Sequence, residues 1–237
     1  MESRNLSKAM HSFSQQGSLA DFQEFIKVIY GEHDDRFYSI WDLAQNVDRF
    51  AMRALKGIRK KDEAKLVLNL LIALSWMMAI ANRFHIETES GVLRRFPMQC
   101  SYCGKRPCAC KAIHPKERIL YAGLKIPEVH TIAQLQDMFR EIYPPETRTL
   151  DQAGVHLAEE IGEVNEAIHA YMGEHKEEQM RALEDEIADA LSCVFGVANS
   201  INLDVAKKLS ELYGRNCHAC HKDPCSCTFS SAVLFQS

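Results

Sequence analysis

The sequence predicts an all-α protein on three observations. Apolar residues recur at helical spacing, in Leu157, Ile161, Val164, Ile168 and Tyr171 and again in Leu183, Ile187, Ala190, Val194 and Ala198. Alternating, β-branched runs of the kind that form strands are almost absent. The chain also resembles itself. "SLADFQEFIKVIY" (18–30) aligns with "TIAQLQDMFREIY" (131–143), "DLAQNVDR" (42–49) with "HLAEEIGE" (156–163), and "NLLIALSWMMAIANRFHIE" (69–87) with "EIADALSCVFGVANSINLD" (186–204), at offsets of 113, 114 and 117.

These segments divide the 237 residues into helical modules at 14–113 and 131–230, with a linker at 114–130 whose Pro115 and Pro127 interrupt helix. The tail "TFSSAVLFQS" (228–237) falls outside the repeat and resembles a viral-protease recognition sequence. The oily run at 66–81 is shorter than the roughly 20 residues a bilayer requires and carries Asn69 and Ser75, so it reads as a buried helix, not a membrane span. The polar N-terminus lacks a signal-peptide core, which makes a cytoplasmic location the expectation. A net charge of -4 and a pI near 6.2 argue against nucleic acid as the main ligand.

Carboxylates are concentrated in the second module. On a helical wheel of about 100° per residue, Glu160 and Glu163 fall beside the apolar stripe at about -60° and -120°, and Glu186 and Asp189 take the same two angles on the following helix. Packed antiparallel, the two helices would face four oxygen ligands across a gap, an arrangement suited to Mg²⁺ together with a substrate phosphate. The first module keeps the apolar frame without the charges: Gln45, Asn46 and Arg49 stand opposite Glu159, Glu160 and Glu163, Asn69 opposite Glu186 and Ile72 opposite Asp189. Glu166 reads as solvated, and Cys193, one turn past Asp189, as a packing residue.

Eight of the nine cysteines form two copies of C-x2-C-x4-C-x-C: Cys100, Cys103, Cys108, Cys110, and Cys217, Cys220, Cys225, Cys227. Short-spaced quartets read as tetrahedral thiolate sites for structural Zn²⁺, each stapling the end of a small module. His218 and His221 have Ser101 and Gly104 as their repeat mates, so the repeat selects the cysteines. Lys105 and Arg106 are the only local basic residues that would support an added docking contact.

"EEIGE" followed by "EIAD", with 22 residues between Glu163 and Glu186, resembles the paired signature of the MazG-type all-α nucleotide pyrophosphohydrolases, a group that includes dimeric dUTPases and dCTP pyrophosphatases. The resemblance covers about 131–216, with 18–99 as a degenerate copy. It implies Mg²⁺-dependent cleavage of a nucleoside triphosphate between the α and β phosphates, with Mn²⁺ as a substitute ion. Glu160, Glu163, Glu186 and Asp189 would be the ligands and Glu159 the water-handling residue. It further implies substrate contacts from Asn216, Lys208 and Arg215, although Leu212 stands where the family often carries a lysine, and a base contact from Gln136. Family members work as dimers or tandem pairs, so the resemblance implies an internal pseudo-dimer with the oily helix at its interface, and a homodimer of tandem chains beyond that. Trp41 and Trp76, both in the first module, read as core packing or as walls of a base pocket. A non-hydrolytic nucleotide sensor or zinc-stapled interaction module competes with the enzyme reading and is separated from it by turnover. A di-iron bundle would want Glu-x-x-His pairs, which the paired motifs lack.

Overall fold

A computed structural model describes residues 12–119 and 128–229. Residues 120–127, which include Pro127 of the expected linker, and the 230–237 part of the tail lie outside the described residues. Among the described residues all regular structure is helical: α1 (Leu19–Phe37), α2 (Ile40–Lys60), α3 (Glu63–Arg83), α4 (Thr88–Arg95), α5 (Cys110–Ile113), α6 (Ile132–Ile142), α7 (Leu150–Glu174), α8 (Glu177–Ser200) and α9 (Val205–Tyr213), with a 3-10 turn at Pro145–Thr147. The starts follow from local chemistry. Ser18, Ser39 and Thr149 accept from the third helical amide while Asp21, Asp42 and Gln152 return the bond, and Asp62, Thr131 and Asp204 cap α3, α6 and α9. At the end of α7, His175 takes a left-handed conformation (φ 53°), which reverses the chain into α8 and makes the pair a tight hairpin.

The oily helix α3 lies in the interior, with 72% of its most apolar stretch buried inside the protein. Its neighbours α1 and α2 pack on it, and α6 and α7 pack on α8 in the same way. Equivalent positions make equivalent bonds. Gln136 on α6 donates to Asn199 Oδ1 at 2.9 Å and to the Leu203 carbonyl at 2.6 Å, and its side-chain Oε1 accepts from the Val205 amide. Gln23 on α1 donates to Asn82 Oδ1 and the Ile86 carbonyl and accepts from the Thr88 amide and hydroxyl. Each glutamine thus clasps the turn after the long helix of its own half.

The terminal pieces cross over. The Cys108 amide, in the first quartet, donates to the Ile142 carbonyl at the end of α6, and the Cys225 amide, in the second, donates to the Ile29 carbonyl midway along α1, both at 2.8 Å. Helix α4 packs chiefly on α8, through Arg94 to Glu184 at 2.6 Å and Arg95 to Asp185 at 2.8 Å. Helix α9 reaches α3, where the Tyr213 hydroxyl donates to Ser75 Oγ at 2.9 Å. The expectation that each quartet staples its own module is therefore corrected, because each closes over the helices of the other half.

The halves also meet along α2 and α7. These run antiparallel, since Gly154 faces Ile58, Asn165 donates to Asp48 at 2.7 Å, and Trp41 meets His169. A Cβ at position 154 would come within 2.7 Å of Ile58 Cδ1, so glycine permits this close crossing. Trp41 is 47% exposed beside this seam.

Replacing Gln136 with leucine leaves the buried Val205 amide and Leu203 carbonyl without partners, at a cost on the order of 3 kcal/mol. Urea unfolding should show that loss for Gln136→Leu and almost none for Gln45→Leu, whose side chain is exposed.

Candidate active site

The α7–α8 hairpin brings Glu160, Glu186 and Asp189 together: an oxygen from each lies within 4.8 Å of the others. Helix pitch explains it, because Glu186 and Asp189 stand three residues apart on one face of α8, opposite Glu160. Glu160 is 8% exposed and Asp189 4%. Glu163 and Glu159 are exposed and line the same cavity, one on each side of the buried group, and Glu166 is exposed.

Crowding shows in the proton affinities. Burial, with repulsion from Asp189, Glu163 and Glu160, pushes the Glu186 carboxyl up to about 8. Burial raises Asp189 to about 7 against the opposing pull of Arg95. Oε2 of Glu160 and Oε2 of Glu186 are buried without a hydrogen-bond partner. Clustered carboxylates with orphaned oxygens are the donor set that a hard divalent cation satisfies, so the residues fit such an ion.

Cations surround the cluster. Arg95 on α4 grips Asp189 with two bonds, Nε to Oδ1 at 3.2 Å and Nη2 to Oδ2 at 2.7 Å, while its Nη1 reaches Asp185. Arg118, in the segment after the first quartet, donates from Nη1 to Asp189 Oδ2 and lies over the Tyr102 ring at 4.3 Å. Arg148 lines the cavity from the start of α7, its Nη2 fitting where Gly196 lacks a side chain: a Cβ there would stand 2.0 Å away. Beyond Cys193, His156 is raised to about 10 by its hydrogen bonds to Cys193 and Glu160.

The cavity has a volume of about 800 Å³. Its floor is α7 and α8, and its roof is the first quartet, with Ser101, Tyr102, His114 and Pro115. The corresponding space in the first half is lined by Tyr30, Ile72, Trp76 and the second quartet, and it measures only about 40 Å³. There Ile72 and Trp76 replace Asp189 and Cys193, and Trp76 packs edge-on to Tyr38 at 5.4 Å. Trp76 is therefore a filling residue and takes no part in the large cavity.

Sulfur spacings in the quartets suit a bound ion. Cys100 and Cys110 stand 3.6 Å apart, Cys103 and Cys108 4.0 Å, and Cys217 and Cys227 3.8 Å. An ion held by four sulfurs at about 2.3 Å in tetrahedral geometry separates them by about 3.8 Å. None of the nine cysteines is joined in a disulfide. His218 faces the Tyr30 hydroxyl at 3.1 Å, and Arg106 pairs with Glu141 at 3.2 Å.

Four expected substrate contacts lie elsewhere. Gln136 is 5% exposed with its amide engaged in the clasp, so the base contact is corrected to a structural role. Lys208 pairs with Glu211 at 2.7 Å beside a separate groove between α3 and α9, and neither Arg215 nor Asn216 lines the carboxylate cavity. Sequence reasoning missed Arg95, Arg118, Arg148 and Tyr102. Arg95, Tyr102 and Arg118 come from outside the acidic module, and only the fold brings them in.

Both raised carboxyls hold their protons in the folded chain at pH values where the unfolded chain has released them. Their contribution therefore favours folding least once pH passes about 8. Without divalent ions, the melting temperature should fall as pH rises from about 5 to about 8. Glu186→Gln should flatten that fall, as read by thermal denaturation across the range.

No curated protein and no solved structure matches the chain. The family comparison gives a match on the acidic hairpin itself: residues 148–218, from Arg148 through α7, α8 and α9 into the second quartet, match the MazG nucleotide pyrophosphohydrolase domain.

Proposed function

We propose that the chain hydrolyses a nucleoside triphosphate at the α–β bond, releasing a nucleoside monophosphate and pyrophosphate. The observation that carries this reading is the convergence of Glu160, Glu186 and Asp189 inside the matched domain, beside a cavity lined by Arg118 and Arg148 and with Arg95 paired to Asp189. Glu160, Glu186 and Asp189, with Glu163 at the rim, would hold Mg²⁺ or Mn²⁺. Bound there, the ion would neutralise phosphate charge and lower the pKa of a coordinated water.

The chain's own residues do the rest. Glu159, exposed on the cavity wall, orients the attacking water and takes its proton. Arg118 exchanges its hold on Asp189 for a phosphate oxygen, steadied by the Tyr102 ring, and Arg148 binds a second phosphate. Arg95 stays on Asp189 and Asp185 and fixes the carboxylate's orientation. The roof excludes water from the reacting phosphate.

The first half, 14–113, lacks the ligand set and acts as the inert partner of 131–230 in a tandem pair, joined by the 114–130 linker. Its contribution is α4 with Arg95 and the roof. Two structural Zn²⁺ ions in the quartets complete the assembly, which the sulfur spacings support. The chain works as a soluble cytoplasmic enzyme on a free nucleotide, with neither membrane nor nucleic acid as partner, and its tandem units pair as homodimers.

A binding-only sensor draws support from the two guanidiniums that already hold Asp189. Turnover decides between the two. Incubation of ribo- and deoxyribonucleoside triphosphates with Mg²⁺ should yield monophosphate and pyrophosphate, and Glu163→Ala or Asp189→Ala should abolish both. Saturable binding without product would establish the sensor, and diphosphate plus phosphate would refute α–β cleavage.

Arg118→Ala should raise KM for the triphosphate about tenfold or more, the loss of one charge-assisted phosphate contact of about 1.5–3 kcal/mol. Arg215→Ala should leave KM close to the parent value. Steady-state kinetics on the best substrate checks the pair.

A further inference from the structure

The wall of the cavity holds two side chains, His156 and Cys193, that the hydrolytic reading does not use. His156 stands one turn before Glu160 on α7 and directs Nδ1 to 3.5 Å from Cys193 Sγ on α8. Its Nε2 lies 3.0 Å from Glu160 Oε1. Ligand atoms from the three residues fall within 4.8 Å of one another, and all three line the cavity. Cys193 is the one cysteine outside the two quartets.

The geometry points to a second divalent-ion site in the cavity, built from Cys193, His156 and Glu160 and selective for a thiophilic ion such as Zn²⁺ over Mg²⁺. Spacing is the first argument. An ion bonded to sulfur at about 2.3 Å and to nitrogen at about 2.0–2.1 Å, with a tetrahedral angle between them, sets the two atoms about 3.6 Å apart. The observed 3.5 Å is that separation. Ligand chemistry is the second: a thiolate with an imidazole favours a borderline-soft ion and disfavours Mg²⁺, which takes oxygen ligands. The third is Glu160, whose Oε2 is buried without a partner although the residue is only 8% exposed. Three protein ligands leave the cavity side open for water.

The first half provides an internal control. Asp42, Asn46 and Trp76 occupy the positions equivalent to His156, Glu160 and Cys193, so the whole set is missing where the cavity has closed.

Sharing has a consequence. Glu160 belongs both to this group and to the Glu160, Glu186 and Asp189 group, so an ion bound through Cys193 and His156 draws on a carboxylate that the Mg²⁺ site also needs. Zn²⁺ would then inhibit the chain in competition with Mg²⁺. That arm rests on the hydrolytic reading; the binding arm does not.

The experiment uses the full chain with both quartets loaded. Equilibrium dialysis against Zn²⁺ followed by elemental analysis should find three ions per chain in the parent and two in Cys193→Ser and in His156→Gln. Cd²⁺ added to the quartet-loaded protein should produce a thiolate-to-metal ultraviolet band in the parent that Cys193→Ser lacks. A thermal melt of His156→Gln that matches the parent's separates loss of the third ion from unfolding. Equal stoichiometry in all three proteins, or a Cd²⁺ band that survives Cys193→Ser, would overturn the site. Where pyrophosphate release is found, Zn²⁺ inhibition should weaken at least about tenfold in Cys193→Ser and yield to added Mg²⁺. Inhibition unchanged by that variant counts against the site. A chain without turnover would defeat the hydrolytic reading alone, since ion counting and the Cd²⁺ band need no substrate.

Discussion

Mutual repulsion among Glu160, Glu186 and Asp189 is the constraint around which the rest of the molecule is arranged. Three carboxylates at that distance, two of them almost wholly buried, would drive their helices apart or take up protons without countercharge. Arg95 supplies part of that countercharge, and Arg95 belongs to α4, in the other half of the sequence. The crossing of α4 onto α8 is thus an electrostatic requirement as well as a packing preference. The roof follows from the same crossing, because the chain that leaves α4 runs directly into the first quartet.

The two halves answer the absence and presence of those charges in opposite ways. Where Ile72 and Trp76 stand, apolar side chains meet and the space under the second quartet is nearly filled. Where Asp189 and Cys193 stand, the space is open and carries Glu160, Asp189, Arg118 and Arg148 on its walls. Cavity and plug are alternative outcomes of one scaffold, decided by a few side chains on two helices.

Helices, cysteine quartets and the carboxylate group were legible in the sequence because each is local or periodic. Stripe spacing located α7 and α8, and wheel angles put Glu160, Glu163, Glu186 and Asp189 on facing shoulders, of which the fold groups Glu160, Glu186 and Asp189 and leaves Glu163 on the cavity wall. The arginines were not legible, since a lone Arg95 or Arg118 carries no local signal and acts only through a long-range approach. Gln136 is the instructive error. Its mate Gln23 sits in the half without a ligand set, and a polar residue present in both halves points to a shared structural task, here the clasp on the following turn. The crossing of the quartets was likewise invisible, because the spacing of four cysteines specifies a local knuckle and says nothing about which helices it covers.

Reciprocal closure also limits how each copy can change over time. A half without ligands of its own would ordinarily be free to drift or be deleted. Here the ligand-poor half completes the other's cavity, so α4, Tyr102 and the first quartet are bound by the chemistry beneath them. The second quartet and α9, which close over a filled space, answer to folding alone. Substitutions should therefore accumulate faster in the knuckle next to the acidic motif in sequence than in the knuckle far from it, the reverse of what linear proximity would suggest.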